Sequence, residues 1–285
     1  MDGMGVPPLQ LHADAAPDGT FTIENVPPGP YNLSAMLMFL PDPFQAVAKV
    51  KPNPMDHIPE TAAMPIVIAG DDVSGLTLAT RSGGQILVRF VADAGVVRPL
   101  PTGIRVELRG LQTGGMRMAM GSATTDELRL AGMSGPFHLD VLGVPDGWTI
   151  SAIMKEGVNV IDDAIDLNGE TASVRIVLTD RVTSLSGTVE SRGDAGGQSI
   201  VVFSEDVAKW TYPSRYLRTT RADREGRFQI QGLPPDTRYR VAAVDYLEDG
   251  EAEDPQFLER LRNRATSVSL REGEQRSMQL DVIAR

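Results

Sequence analysis

The densest group of aromatic side chains in the chain is Trp210-Thr211-Tyr212-Pro213-Ser214-Arg215-Tyr216. Aromatic residues make up only 5% of the sequence, so three rings within seven positions single out this loop. A ring face stacks on a pyranose, and a neighbouring guanidinium can hold sugar hydroxyls. Trp210, Tyr212, Arg215 and Tyr216 are therefore the candidate ligand-binding residues, with a glycan as the expected ligand. The competing expectation is that Trp210 or Tyr216 plugs one end of a β-sandwich.

The other residue types that do chemistry are sparse. His12, His57 and His138 are the only histidines, and they lie far apart in sequence. Asp71-Asp72 and Asp162-Asp163 are adjacent carboxylates before strands, where turn chemistry is the simple reading and calcium the sharper one. No loop has the full spacing of a calcium site. Asp245–Asp254 holds six acids and reads as a solvated loop. Met116, Met118 and Met120 alternate, which puts them on one strand face as core filler. With no cysteine, there is no disulfide, thiolate zinc site or cysteine nucleophile. The HExxH, GxSxG, P-loop and GxGxxG patterns are absent. No catalytic residue, metal ligand or cofactor is assigned, and the chain is read as a non-enzyme.

Charge narrows the partners. The net charge is −11, which disfavours phosphate backbones and argues against nucleic acid. The acidity is uneven: residues 1–80 hold nine acids and two bases, whereas residues 181–285 hold seventeen and sixteen. Arg215, Arg218, Arg221, Arg224 and Arg227 form a basic run, read as a strand edge with paired charges. The longest apolar stretch, Ala35–Leu40, is far shorter than the roughly 18 residues of a membrane span. The first residues lack the basic start and apolar core of a signal peptide.

The elements that carry these residues repeat. Asp18-Gly19-Thr20-Phe21-Thr22-Ile23-Glu24-Asn25-Val26-Pro27-Pro28-Gly29-Pro30-Tyr31 returns as Glu225-Gly226-Arg227-Phe228-Gln229-Ile230-Gln231-Gly232-Leu233-Pro234-Pro235, followed by Tyr239. A worn copy runs from Glu127 to Leu139, its aromatic being Phe137. Each copy predicts a turn, a strand with alternate apolar residues, a proline stop and a new strand opened by an aromatic. Closing strands recur at Leu76 and Leu78, at Val174, Ile176 and Leu178, and at Met278, Leu280 and Val282. Opening strands recur at Gln85–Phe90 and Ser184–Val189. The spacing of about 100 residues is that of a whole β-sandwich. The third copy predicts strands near 184–191, 198–204, 216–222, 227–231, 239–245, 265–270 and 275–283. A helix over 254–263 is capped by Asp254 and started by Pro255.

The stretch Asp18–Tyr31 resembles the G-x-F-x-[IV]-x-x-[LV]-P-P-G-x-Y signature of the carboxypeptidase regulatory-like family, whose members fold as transthyretin-like (prealbumin-like) sandwiches related to carbohydrate-binding-like folds. Residues 181–285 are similar to the terminal module of large bacterial proteins built from such repeats, through Leu185-Ser186-Gly187-Thr188-Val189, Val201-Val202-Phe203 and Asp254-Pro255-Gln256-Phe257-Leu258. Asp236-Thr237-Arg238 departs from the signature by one extra residue, and the middle copy lacks the double proline. The metallocarboxypeptidase catalytic region is not part of the resemblance.

The expected architecture is all-β: tandem seven-stranded Greek-key sandwiches of transthyretin-like or immunoglobulin-like type. Residues 1–80 form a partial module, 81–180 a second and 181–285 a complete third. Two opening strands are expected to be missing from the first, as in an N-terminally truncated fragment whose leader lay upstream. The expected role is that of a non-catalytic accessory, spacer or protein-docking module of a bacterial envelope or secreted protein, periplasmic, cell-surface or extracellular. The alternative is a carbohydrate-binding module using the Trp210–Tyr216 loop. A protein partner or a glycan is expected; nucleic acid and a membrane span are not.

Overall fold

The computed structural model describes residues 11–37, 60–111, 117–122, 127–133, 135–167, 169–190, 197–211 and 213–283. His57, Met116 and Tyr212 lie outside them, and so do residues 1–10 and 38–59.

The first repeat shows its turn and its proline stop clearly. Gly19 takes φ 84°, and the backbone closes between Ala16 N and Thr20 O at 2.8 Å. The third repeat makes the same turn, with Gly226 at φ 74° and Asp223 N to Arg227 O at 2.8 Å. The aromatic after the prolines is tied back in both copies. Tyr31 Oη donates to Pro27 O at 2.8 Å, and Tyr239 Oη donates to Pro234 O at 2.7 Å. This hydroxyl tether pins the corner that carries the chain from one strand to the next. Two nine-residue strands, β1 (Gly29–Leu37) and β2 (Glu60–Ile68), then pair antiparallel, and β3 (Arg81–Ser82) adds to the start of β2.

The second repeat closes as two layers. It comprises β4 (Gly84–Ala92), β5 (Arg105–Gly110), β6 (Arg117–Ser122), β7 (Glu127–Met133), β8 (Phe137–Leu142), β9 (Thr149–Lys155), β10 (Val158–Asn159) and β11 (Thr171–Thr179). One sheet has the order β10-β9-β11-β4-β7 and the other β6-β5-β8. Ile86, Val88 and Phe90 of β4 meet Val106 and Leu108 of β5 and Val174, Ile176 and Leu178 of β11 in one core. Met118 and Met120 lie in β6, as alternation requires.

The third repeat holds β12 (Ser184–Glu190), β13 (Ser199–Ser204), β14 (Arg218–Arg221), β15 (Arg227–Gln231), β16 (Thr237–Val244), the helix α1 (Pro255–Arg262), β17 (Thr266–Leu270) and β18 (Gln275–Ile283). β15, β12 and β18 form one layer. β14, β13, β16 and β17 form the other, and the end of β18 crosses over to pair Ala243 and Val244 of β16. Both sandwiches share one plan. The opening strand runs parallel to the closing strand (β4 with β11, β12 with β18) and antiparallel to a mid-chain strand (β7, β15). The chain is all-β, with Greek-key sandwiches in tandem.

Three features depart from the sequence reading. The second sandwich has an extra hairpin, β9–β10, on the outer edge of β11. The strand expected at Leu76–Leu78 and the one expected at Phe21–Ile23 keep their in-out alternation but join no ladder. In the complete repeats these two segments pair with the opening strand, and the described residues before β4 contain no such strand. Finally, β13, expected simply as a strand near 198–204, is buried on both faces.

Candidate functional site

That double burial explains Trp210. Within Ser199-Ile200-Val201-Val202-Phe203-Ser204, Ile200–Phe203 is an unbroken apolar run, the pattern of a strand covered on both sides. Ile200 and Val202 face the sandwich core, whereas Val201 and Phe203 face a second cluster built from α1 through Phe257, Leu258 and Leu261. Asp254 caps α1 by accepting from Gln256 N at 2.9 Å, and Pro255 occupies its first turn, where the missing N–H costs nothing. Trp210 ends a short 3₁₀ turn (Val207–Trp210) whose start is capped by Asp206, and it drops into the same cluster. It is 2% exposed, meets Phe203 edge-to-face at 5.6 Å, and donates Nε1–H to Ser204 O at 2.7 Å. The indole thus presents no face for a sugar to stack on, contrary to the ligand expectation for this residue.

Arg215 and Tyr216 are turned elsewhere, toward the second sandwich. Tyr216 Oη donates to Asp162 Oδ2 at 2.6 Å, and Arg215 Nε lies 3.0 Å from Asp162 Oδ1. Lys209 Nζ sits 4.3 Å above the Tyr216 ring and the Arg215 guanidinium 5.2 Å from it. Burial raises the Tyr216 pKa above its usual value, and the Asp162 hydrogen bond adds to the rise. Both oxygens of Asp162 are therefore engaged by the third repeat. The sequence singles out Asp162 with Asp163 as turn chemistry or calcium but not its partner: Tyr216 is 54 positions away, and no local pattern reports so distant a pairing.

A second tie begins in the connector between the sandwiches. Thr179 ends β11 and Ser184 starts β12, with Asp180–Thr183 between them. Arg181 donates to Asp93 Oδ2 at 2.8 Å and to Ala94 O at 3.1 Å on the second sandwich. The same guanidinium lies 3.1 Å from Glu272 Oε1 on the third. The Glu272 hydrogen bond is the main cause of its raised pKa. The connector's backbone is bonded as well. Thr183 Oγ1 donates to Leu233 O at 2.5 Å, Gly232 N to Thr183 O at 3.0 Å, and Ser184 N to Glu274 O at 2.9 Å. Gly232 at φ 71° also brings the third repeat close to the second, since a Cβ there would lie 3.6 Å from Thr149 Oγ1.

The remaining candidates are dispersed. His138 lies in β8, His12 is exposed, and among the described residues no group of three or more His, Asp or Glu converges on a metal position. In the basic run, Arg227 pairs with Asp223 and Glu225, and Arg218 donates to the Ser214 and Leu217 carbonyls. Burial lowers the Arg218 pKa from its ordinary value. Among the described residues, no helix is long and apolar enough to cross a membrane.

Comparison with known proteins gives no match to a family model and none to a curated protein. Among solved structures, the chain is similar to the TIE protein of Bacillus anthracis at 10% identity and TM-score 0.27, over 79% of this chain and 42% of that one. It thus spans well under half of that protein's length. It is also similar to the shaft pilin spaA from Lactobacillus rhamnosus GG at 10% identity and TM-score 0.25, over 71% of this chain and 98% of that one. The minor pilin of Streptococcus agalactiae aligns at 10% identity and TM-score 0.25, over 69% and 94% of the two chains. Overlaps this loose do not bear on what the chain does.

Proposed function

We propose that the chain is a non-catalytic repeat protein that acts as an accessory, spacer or protein-docking module of a bacterial envelope or secreted protein. The observation that carries this reading is the junction. Of the candidate binding residues, Arg215 and Tyr216 are spent on joining one sandwich to the next. Asp162 clamps one side and Arg181 ties the connector to both sandwiches. A short connector with bonded backbone transmits a fixed angle, where a flexible one would let two beads move freely. Modules with boundaries near 80 and 180 follow from the same plan. The resemblance of Asp18–Tyr31 to carboxypeptidase regulatory-like repeats supports the bacterial setting.

Small-angle scattering tests the spacer role. The scattering curve is expected to fit one rigid arrangement of residues 84–283 in dilute salt, because Asp162 and Arg181 tie the two sandwiches across the short connector. A curve that needs an ensemble of angles in dilute salt would refute it.

A further inference from the structure

The outer strand of the third sandwich borders a groove of about 450 Å3. β14 ends its sheet and, among the described residues, pairs only with β13. Arg218, Thr219, Thr220 and Arg221, the whole of β14, line the groove. Successive strand residues point to opposite faces, so a groove that touches all of them runs along the strand's edge. The ladder fixes what that edge offers. Ala222 N donates to Gln198 O at 2.9 Å, and Ser199 is the partner of Arg221. Bonded pairs recur at every second residue of an antiparallel ladder, so Arg218 and Thr220 bond to β13, while the backbone N–H and C=O of Thr219 and Arg221 point outward. The side chains divide between two faces. Arg218 and Thr220 lie with Val202 and Ile200 on the core face, and Thr219 and Arg221 lie with Val201 and Ser199 on the outer one.

The two walls of the groove carry opposite charge. Arg218 donates to Ser214 O at 3.2 Å and to Leu217 O at 3.0 Å, which orients its guanidinium. Neither Arg218 nor Arg221 forms an ion pair with a described residue. The neighbouring charges are engaged elsewhere or share their sign: Arg215 lies on Asp162, Arg227 on Asp223 and Glu225, and Arg224 sits in the turn beyond β14. The facing wall is the loop over 247–253, with Glu248, Asp249 and Glu253, and Leu217, Leu247 and Ala252 give an apolar floor. We propose that this groove docks an extended segment of another polypeptide, added as an antiparallel strand to the outward edge of β14, with acidic side chains opposite Arg218 and Arg221 and a basic side chain opposite Thr219, toward the acidic loop. Main-chain bonds to Thr219 and Arg221 give affinity, and alternate side chains give specificity. The opposed walls select a partner carrying both signs, since a wholly acidic segment is repelled by the loop and a wholly basic one by the arginines. The site rests on the docking part of the proposed function and names that partner's chemistry.

The test uses the full chain and a labelled, end-blocked octapeptide, Thr-Thr-Glu-Val-Lys-Glu-Thr-Thr, whose central four residues fall opposite Arg221, Thr220, Thr219 and Arg218 in that order. Saturable binding is expected by fluorescence anisotropy. Raising NaCl from about 0.05 to about 0.5 M is expected to weaken it several-fold, as screening of exposed ion pairs requires. Exchanging Glu and Lys throughout the peptide is expected to weaken binding by about tenfold or more. Arg221→Glu is expected to weaken it about fivefold, the scale of one exposed ion pair, and a peptide with Lys in place of its first Glu is expected to recover the loss. N-methylation of the first Glu and of the Lys, whose N–H groups face β14, is expected to abolish binding, whereas N-methylation of the Val, whose N–H faces away, is expected to spare it. Trp210 lies in the third sandwich, so its urea transition reports that Arg221→Glu is folded. No saturable binding, or binding indifferent to Arg221→Glu and to the position of the N-methyl group, overturns the proposal. Dimerisation of the chain that Arg221→Glu abolishes would overturn it too, by giving the edge to a second copy. Failure here alongside a single rigid scattering curve strikes this site and leaves the spacer reading standing.

Discussion

Removing the Tyr216 hydroxyl and the Asp162 carboxylate, separately and together, measures how strongly the two sandwiches are coupled. The 2.6 Å bond joins a buried phenol to a carboxylate whose side chain is 45% exposed. A hydrogen bond to a charged group contributes about 1.5–3 kcal/mol when well shielded. Here water reaches Asp162 and replaces part of the lost bond, so the lower end is the guide, and a coupling energy of about 1 kcal/mol follows. The variants are Tyr216→Phe, Asp162→Ala and the double variant, each unfolded in urea and followed by tryptophan fluorescence. Trp148 reports the second sandwich and Trp210 the third. Tyr216→Phe keeps the ring under Lys209 and in the core, so it removes the bond with little loss of packing. Asp162→Ala also frees Arg215, which makes the cycle necessary, since only the non-additive part belongs to the Tyr216–Asp162 pair. Free energies that add to within about 0.3 kcal/mol would refute the clamp, because independent sites add to that precision.

Other outcomes follow from the same geometry. Trp210→Ala is expected to destabilise the third sandwich by about 3–5 kcal/mol, the cost of emptying a buried aromatic site, and glycans are expected to leave Trp210 fluorescence unchanged; a glycan-dependent shift would return the indole to a ligand role. Gly187→Ala is expected to cost about 1–3 kcal/mol or more by overpacking, because a Cβ there would lie 2.0 Å from Met278 O; urea unfolding reads it. The backbone N–H of Arg227 holds the Asp223 pKa below its usual 3.8, and the Arg240 hydrogen bond holds Glu205 below 4.5. Lowered carboxylate values stabilise above those pH values and lose that contribution as pH falls through the folded-state values. The melting temperature is therefore expected to fall steeply in acid, and less steeply in Asp223→Asn. Tyr216 is raised above 10.0, so its contribution is complete below pH 10 and is lost as pH rises past its folded-state value; Tyr216→Phe is expected to delete a late component of the tyrosinate absorbance.

Much of the third sandwich was legible because its strands alternate and its turns carry Gly or Pro. The helix was legible from Asp254, Pro255 and the shared face of Phe257, Leu258 and Leu261. Trp210 was read either as a ligand face or as a plug at one sandwich end; that it is buried against the outer face of β13 was not read, although a signal existed. The run Ile200–Phe203 has no polar break, which calls for a cover on each face of β13, and α1 with Trp210 supplies the outer one. Of the β9–β10 hairpin, β9 was legible from the Pro145-Asp146-Gly147 turn that precedes Trp148 and Ile150, and only β10 was missed, because Val158–Asn159 is two residues long, too short for periodicity to register. The ladders expected at Phe21–Ile23 and Leu76–Leu78 failed for a different reason. Alternation specifies a face, but a strand also needs a neighbour, and that depends on residues far away in sequence. The same holds for the junction, where Asp162 sits in a turn and gives no local sign of its partners.

Paired spin labels at Val97→Cys and Val207→Cys address the central claim most directly, since both sites are exposed, one on each side of the junction, and the natural chain has no cysteine to label by accident. A single narrow distance distribution is predicted for the otherwise unchanged chain, broadening when Asp162→Ala and Arg181→Ala are combined. A broad distribution before any clamp residue is altered would contradict a fixed angle between the sandwiches, and with it the spacer role.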